Sequence, residues 1–169
     1  MPDKIKNKNY ILFHPISYER LKLNNNLTDE RLIKYQEFCQ EIINNFNDKL
    51  VIFGAKEDNE FISTLDTKDA INLCGISKID QFIPIIFNSQ GAIGIDSSCC
   101  TFASCLRKPT FIYKIDHSYS TPTGIAHILY NTPGTMEVEH IEPWDITAKY
   151  IYNYINKIGD INMKALMLL

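Results

Sequence analysis

The chain has 169 residues, about one domain on the usual range of roughly 100–200 residues per domain. Its 45% hydrophobic and 22% charged content is that of an ordinary globular protein, which excludes a disordered chain and a coiled coil. A net charge of −3 and a pI near 5.8 argue against a nucleic-acid surface built on bulk charge.

Residues 1–9 read as a flexible polar arm with basic residues and no apolar stretch of a secretory signal. Tyr10-Ile11-Leu12-Phe13 then reads as a short buried strand, and it runs into His14-Pro15-Ile16-Ser17, where proline stops regular pairing. Residues 18–26 form a polar loop. Thr28 is a good N-cap, with Asp29 and Glu30 complementing the helix dipole. Leu32, Ile33, Tyr35, Phe38, Ile42, Ile43 and Phe46 follow at helical spacing. Leu50-Val51-Ile52-Phe53 is a second buried strand, closed by Gly54. A short helix over about 59–65 and a brief strand over 71–74 come next. A helix capped by Ser77 then runs through about Asn88, disturbed at Pro84, which removes an internal hydrogen bond.

Gly91 to Ile95 is the next strand, followed by a helix over 98–106 and a strand from Thr110 to Tyr113. Residues 125–130 and 136–138 are expected as short strands. Pro143, at a first-turn position beside Trp144, opens a last helix with Ile146, Tyr150, Ile151, Tyr154, Ile155 and Ile158 on one face. The stretch 159–169 is left as a C-terminal tail. No apolar run, Ile83 to Phe87 included, is long enough to cross a bilayer, so no transmembrane segment is expected.

Continuous apolar strands alternating with amphipathic helices predict an α/β fold: one doubly wound, Rossmann-like domain over residues 10–158, its mainly parallel sheet covered on both faces. Ligands of such folds bind at the carboxyl ends of the strands, where the strand order reverses. The segments that matter are therefore 14–22, 54–58, 96–101 and 114–120.

The most informative of these is Gly94-Ile95-Asp96-Ser97-Ser98-Cys99-Cys100-Thr101. A strand ends at an acid, and small hydroxyl residues open a helix. Free amides and the dipole at a helix start favour an anion, and an ionised Asp96 can accept hydrogen bonds from sugar hydroxyls. A sugar diphosphate would fit there. In the plainer reading Asp96 or Ser97 merely caps the helix.

The run from Asp96 to Thr110 resembles the signature of glycosyltransferase family 9, the heptosyltransferase-like enzymes. That signature reads Asp-Ser/Thr-Gly, two residues, His, an apolar residue, three small residues and Leu-Gly-Lys-Pro-Thr, with the same length and no gap. Leu50 to Asp58 is similar to the family's strand-then-glycine segment with an acid four residues on. Asn72-Leu73-Cys74-Gly75-Ile76-Ser77 resembles its Leu-x-Gly-x-Ser/Thr turn, and Leu12 to Ser17 its strand followed by His-Pro-Gly-Ser. The four motifs occur in the family's order across residues 10–158.

The resemblance implies the C-terminal, nucleotide-sugar-binding half of a GT-B glycosyltransferase, whose catalytic base belongs to an acceptor-binding N-terminal half. Carried over by position, Ser17 and Lys22 would contact phosphates, and Gly54 and Asp58 would lie near the nucleoside. Asp96, Ser97 and Ser98 would hold the donor sugar and diphosphate, with Thr101 in the signature's histidine position. Lys114 would supply the positive charge that Thr101 lacks. Ser98 stands where the signature has glycine, Ile16 replaces the glycine of the first loop, and Lys114-Ile115-Asp116 replaces a Gly-Pro-Thr. The implied partners are a nucleotide-sugar and a second polypeptide, an acceptor-binding domain or another copy of the chain. No cofactor or metal is implied, and transfer by the single domain is expected to be slight. The alternative is a binding or scaffold module that kept the fold after losing the chemistry.

Gly94 to Ser98 also resembles a nucleophile elbow with an aspartate nucleophile, although the closing glycine is missing. Five cysteines without a disulfide spacing point to reduced thiols in a cytoplasmic setting. Cys39, Cys74 and Cys105 read as core. Cys99 and Cys100 lie near a helix start that would favour a reactive thiolate. His14, His127 and His140 read as structural, and neither Cys105 nor His117 has the spacing of a metal site.

Overall fold

The computed structural model describes residues 3–6, 9–17, 28–46, 49–75, 79–113, 135–138 and 146–166. Six strands form one sheet: β1 (Ile11–His14), β2 (Leu50–Ile52), β3 (Ile71–Asn72), β4 (Gly91–Ile95), β5 (Thr110–Tyr113) and β6 (Thr135–Val138). The helices are α1 (Asp29–Phe46), α2 (Asn59–Ile62), α3 (Ile79–Asn88), α4 (Ser98–Cys105) and α5 (Ala148–Leu166). All strand pairs are parallel, in the order β3-β2-β1-β4-β5-β6. The sheet is therefore doubly wound as the alternation predicts, with its order reversing between β1 and β4. Phe13 lies opposite Ile52 and Ile93, and His14 lies opposite Gly94.

Strand alternation splits the core in two. Ile11, Phe13, Ile52, Ile93, Phe111 and Tyr113 face α1 and α5, whose Phe38, Ile42, Ile43, Ile151 and Ile155 are buried against them. Leu12, Val51, Ala92 and Ile112 face α3 and α4, meeting Ile85, Ile86, Cys99, Cys100 and Ala103. Both layers are needed because a parallel sheet exposes no polar face.

Local chemistry sets the element ends. Thr28 Oγ1 accepts from the Arg31 amide at 3.4 Å, as its place before α1 predicts. β3 is shorter than the apolar run suggests, although the Leu73 and Gly75 amides still donate to the carbonyls of Ile52 and Gly54; Asn72 Oδ1 takes the Cys74 amide between them at 2.9 Å. α3 passes through Pro84, whose carbonyl accepts from Asn88 Nδ2 at 2.8 Å.

The ends of the chain differ from expectation. Asp3–Ile5 is a 3-10 turn with Ile5 fully buried against the α3/α4 layer, where a solvated arm was expected, because an isoleucine gains more from that apolar layer than from water. α5 continues to Leu166, through the first part of the expected tail. The predicted Ser77 cap, the strand over 125–130, and Pro143 with Trp144 lie outside the described residues. Among the described residues no helix is long and apolar enough to cross a membrane.

Candidate functional site

The carboxyl ends of β2, β1, β4 and β5 lie side by side, so loops distant in sequence open onto one rim. Gly54 and Asp58 follow β2, His14 and Ser17 end and follow β1, and Asp96 to Thr101 follow β4. Ser17, Asp96, Ser97 and Thr101 are half-buried and Ser98 is exposed. Lys22 and Lys114, together with His117, His127 and His140, lie outside the described residues.

At the β4–α4 corner Ser97 is the N-cap in extended backbone, and its Oγ accepts from the Cys100 amide at 3.5 Å. The Thr101 amide donates to the Ser97 carbonyl at 2.9 Å, closing the first turn. Ser97 thus does the capping that the plainer reading assigned to it. Asp96, just ahead of the cap, stands at the positive end of the helix.

The lesser reading of these two residues, a reactive thiolate at the helix start, is not supported. Cys99 and Cys100 are buried in the core. Burial, with Cys100 beside it, holds the Cys99 thiol well above its usual value, and burial pushes Cys100 up to about 12 against a partly offsetting bond from Ser97. Desolvation exceeds anything the helix dipole offers. Cys105, expected in the core, is exposed on the far end of α4, because its position on the helix turns away from the sheet.

The β2 end is organised around a carboxylate. Asp58 is 3% exposed, and its Oδ2 accepts from the Ala55 amide at 2.7 Å. The bond folds the 54–58 turn over itself and aims the carboxylate inward. A side chain at Gly54 would stand 2.5 Å from that oxygen, so the glycine is what lets Asp58 turn in. Burial, with Asp58 beside it, pushes the Cys74 thiol up to about 12. The same Oδ2 lies 3.5 Å from His14 Nε2.

Tyr35 on α1 and Tyr113 at the end of β5 are both fully buried, and their hydroxyls converge on the carbonyl of Pro15. Tyr35 donates to that carbonyl, the two hydroxyls are 3.0 Å apart, and Tyr113 Oη is 3.3 Å from the same oxygen. Two elements, α1 and β5, are thereby tied to the loop that carries Ser17. Neither tyrosine was singled out by the sequence beyond its apolar ring, since a hydroxyl's partner is not written in its spacing.

No protein-family model and no curated protein sequence matches the chain. Solved structures do. The ADP-heptose LPS heptosyltransferase II of E. coli superposes with a TM-score of 0.64 at 19% identity, over 94% of this chain and 48% of that one. A glycosyl transferase family 9 protein from Veillonella parvula DSM 2008 gives 0.58 at 12% identity, over 90% and 46%. The fold is that of half a family 9 glycosyltransferase. The chain spans about half the length of the solved structures it matches.

On this heptosyltransferase-like frame the signature-like run from Asp96 to Thr110 starts just after β4 and spans α4 to the first residue of β5. α4 ends with Arg107 in the left-handed region (φ 55°), the Arg107 amide donating to Ser104 and the Lys108 amide to Ala103. This double closure normally uses glycine, the residue found there in the family signature. Arginine thus keeps the turn at a steric cost.

Proposed function

We propose that the chain is the nucleotide-sugar-binding half of a heptosyltransferase-like glycosyltransferase, completed by an acceptor-binding half that brings the catalytic base. One observation carries this reading: motifs spread along most of the sequence meet at neighbouring strand ends around the β1/β4 reversal, where doubly wound folds hold nucleotides. The start of α4 would face the leaving diphosphate, where negative charge grows during transfer. Ser17 and Lys22 would take phosphate oxygens, Lys114 would add positive charge, and Asp96 would accept from the donor's hydroxyls. The nucleotide-diphosphate sugar is the substrate, and the reading calls for no cofactor besides it. Five unpaired thiols suit a reducing, cytoplasmic setting.

The test is calorimetric titration of the chain with ADP, UDP, GDP and their glucose conjugates. Saturable binding is expected, weakened about tenfold or more in Asp96→Ala, the loss of one hydrogen bond to a charged group. Silence across the panel overturns the reading. Transfer by the chain alone is expected to be negligible, because one domain cannot enclose donor and acceptor together.

The inward turn of Asp58 favours a second reading, a binding module without chemistry, since the carboxylate assigned to the nucleoside is tied to Ala55. Under that reading the nucleotide panel gives no saturable binding, and the chain does not transfer when mixed with an acceptor-binding partner.

A further inference from the structure

Of five large apolar side chains exposed among the described residues, three stand on the α3/α4 layer: Phe87 at 61%, Phe102 at 43% and Ile83 at 41%. Ile83 and Phe87 are one turn apart on α3 with exposed Pro84 between them, while Ile85 and Ile86 fill the core on the helix's other side. α3 is therefore apolar on both sides, whereas a helix with one solvated side carries polar residues there. Phe102 of α4 packs edge-on against Phe82, ring centres 5.5 Å apart, and Phe82 lies 5.2 Å from the buried ring of Phe53. The exposed rings of two helices thus form one surface, anchored to the core. Contiguous apolar surface of this kind marks an interaction site.

The charge around this face is one-sided. α3 runs into β4 and α4 into β5, and all strands are parallel, so both helices end at the amino edge of the sheet, away from the donor rim. Arg107 and Lys108 follow α4 there, and Lys108 Nζ lies 5.6 Å from the centre of the Phe87 ring. Lys4 and Lys6 are exposed on either side of Ile5, which is buried in the same layer ahead of β1. Asp3 belongs to the same turn. Asp80 opens α3 at the other edge, and no acid follows it in α3, in α4 or in the turns that end them. Four cations against Asp3 are thus gathered here, in a chain whose net charge is −3.

We propose that the α3/α4 face docks on an anionic lipid bilayer, with Ile83, Phe87 and Phe102 entering the headgroup layer and Lys4, Lys6, Arg107 and Lys108 facing the lipid phosphates. Buried apolar area and attraction to acidic headgroups are the two terms that hold a helix flat on a membrane. Lys108, half-buried beside Phe87, joins them: its stem can follow the ring while its ammonium stays among the headgroups. A second copy of the chain offers this edge no opposite charge, since its matching face carries the same cations. An acceptor-binding half has to face the strand carboxyl ends, at the other edge. Rings standing this far out line no groove for a peptide, and a fluid bilayer needs none. The inference is independent of the nucleotide reading, which uses the opposite edge of the sheet.

Flotation of the full chain with vesicles tests this. Retention is expected on vesicles of phosphatidylcholine and phosphatidylglycerol in equal parts, weakened by added salt, with little on phosphatidylcholine alone. Phe87→Ser is expected to weaken retention about tenfold or more, and Lys108→Gln about fivefold. The thermal midpoint checks the fold of each variant, and nucleotide titration should be the same in both as in the unmodified chain. No retention on the acidic vesicles overturns the proposal and leaves the nucleotide reading standing. Equal retention on the two kinds of vesicle overturns it, as does unchanged retention in either variant, because another surface then meets the bilayer. Should Phe87→Ser lower the midpoint, the pair Lys4→Gln and Lys6→Gln, on exposed side chains, takes its place under the same rule. A dimer in light scattering that Phe87→Ser breaks would give the face to a second copy. Binding to polyglutamate without binding to vesicles would give it to an acidic polypeptide. Either result overturns the proposal.

Discussion

The Pro15 carbonyl and the His14 imidazole are neighbours at the tip of β1, and the two sides of the sheet treat them oppositely. Toward α1, the carbonyl gathers two buried tyrosine hydroxyls. Toward α3 and α4, the imidazole keeps two nitrogens without a hydrogen bond among the described residues. A satisfied buried network stiffens the structure around it, whereas an unsatisfied one is tolerated where function requires the group. The tyrosine side therefore holds the loop, and the histidine side leaves a buried polar ring unmatched among the described residues.

The strongest way to break this contrast is to remove the support. Tyr35→Ala deletes a fully buried aromatic ring and is expected to cost about 3–5 kcal/mol in chemical denaturation, by cavity formation alone. Tyr35→Phe keeps the ring, leaves Tyr113 on the Pro15 carbonyl, and is expected to cost only about 1 kcal/mol. An equal loss in both variants would show that the ring contributes nothing beyond its hydroxyl.

Alkaline denaturation compares the two sides through their thiols. Burial raises Cys39 near the tyrosines and Cys99 and Cys100 under α4. A raised folded value keeps each thiol neutral in the native state, while the unfolded chain begins to ionise near pH 9. Their contribution is thus complete below pH 9 and falls as pH climbs toward the folded values, by about 1.4 kcal/mol per pH unit for each thiol. Stability measured from pH 7 to 10.5 should turn down above 9. Cys39→Ala and Cys100→Ala should each flatten the fall, and a flat profile in the unmodified chain contradicts the assigned burial.

The smallest effect is a control at the opposite end of α4. Arg107→Gly relieves a left-handed backbone and is expected to raise stability by about 0.5–1 kcal/mol while leaving nucleotide affinity unchanged. A loss of stability would mean that the arginine side chain matters more than its backbone.

The centre of the sheet was legible in the sequence because β1, β2, β4 and β5 are largely apolar runs, and Thr28 and Ser97 were legible as caps because their hydroxyls precede a helix directly. What escaped depends on direction rather than on residue type. A carboxylate four residues after Gly54 can be read from spacing; that the Ala55 amide turns it inward cannot. Asn72 is a strand residue as expected, but that its side chain would take the Cys74 amide could not be read from its place in the run. His14 and Asp58 are brought together only by the pairing of β1 with β2, so the histidine offered no local sign of its neighbour.

The position of β1 has a consequence for how the chain is made. Its two partners are β2 and β4, and β4 is synthesised only after α1, β2, α2, β3 and α3. Until Gly91–Ile95 leaves the ribosome, one side of Ile11–Phe13 offers unpaired amides and carbonyls on an apolar strand, the kind of edge that recruits other chains. A fragment ending before Gly91 would therefore aggregate, and the N-terminal half of the chain needs the arrival of β4 to stay soluble.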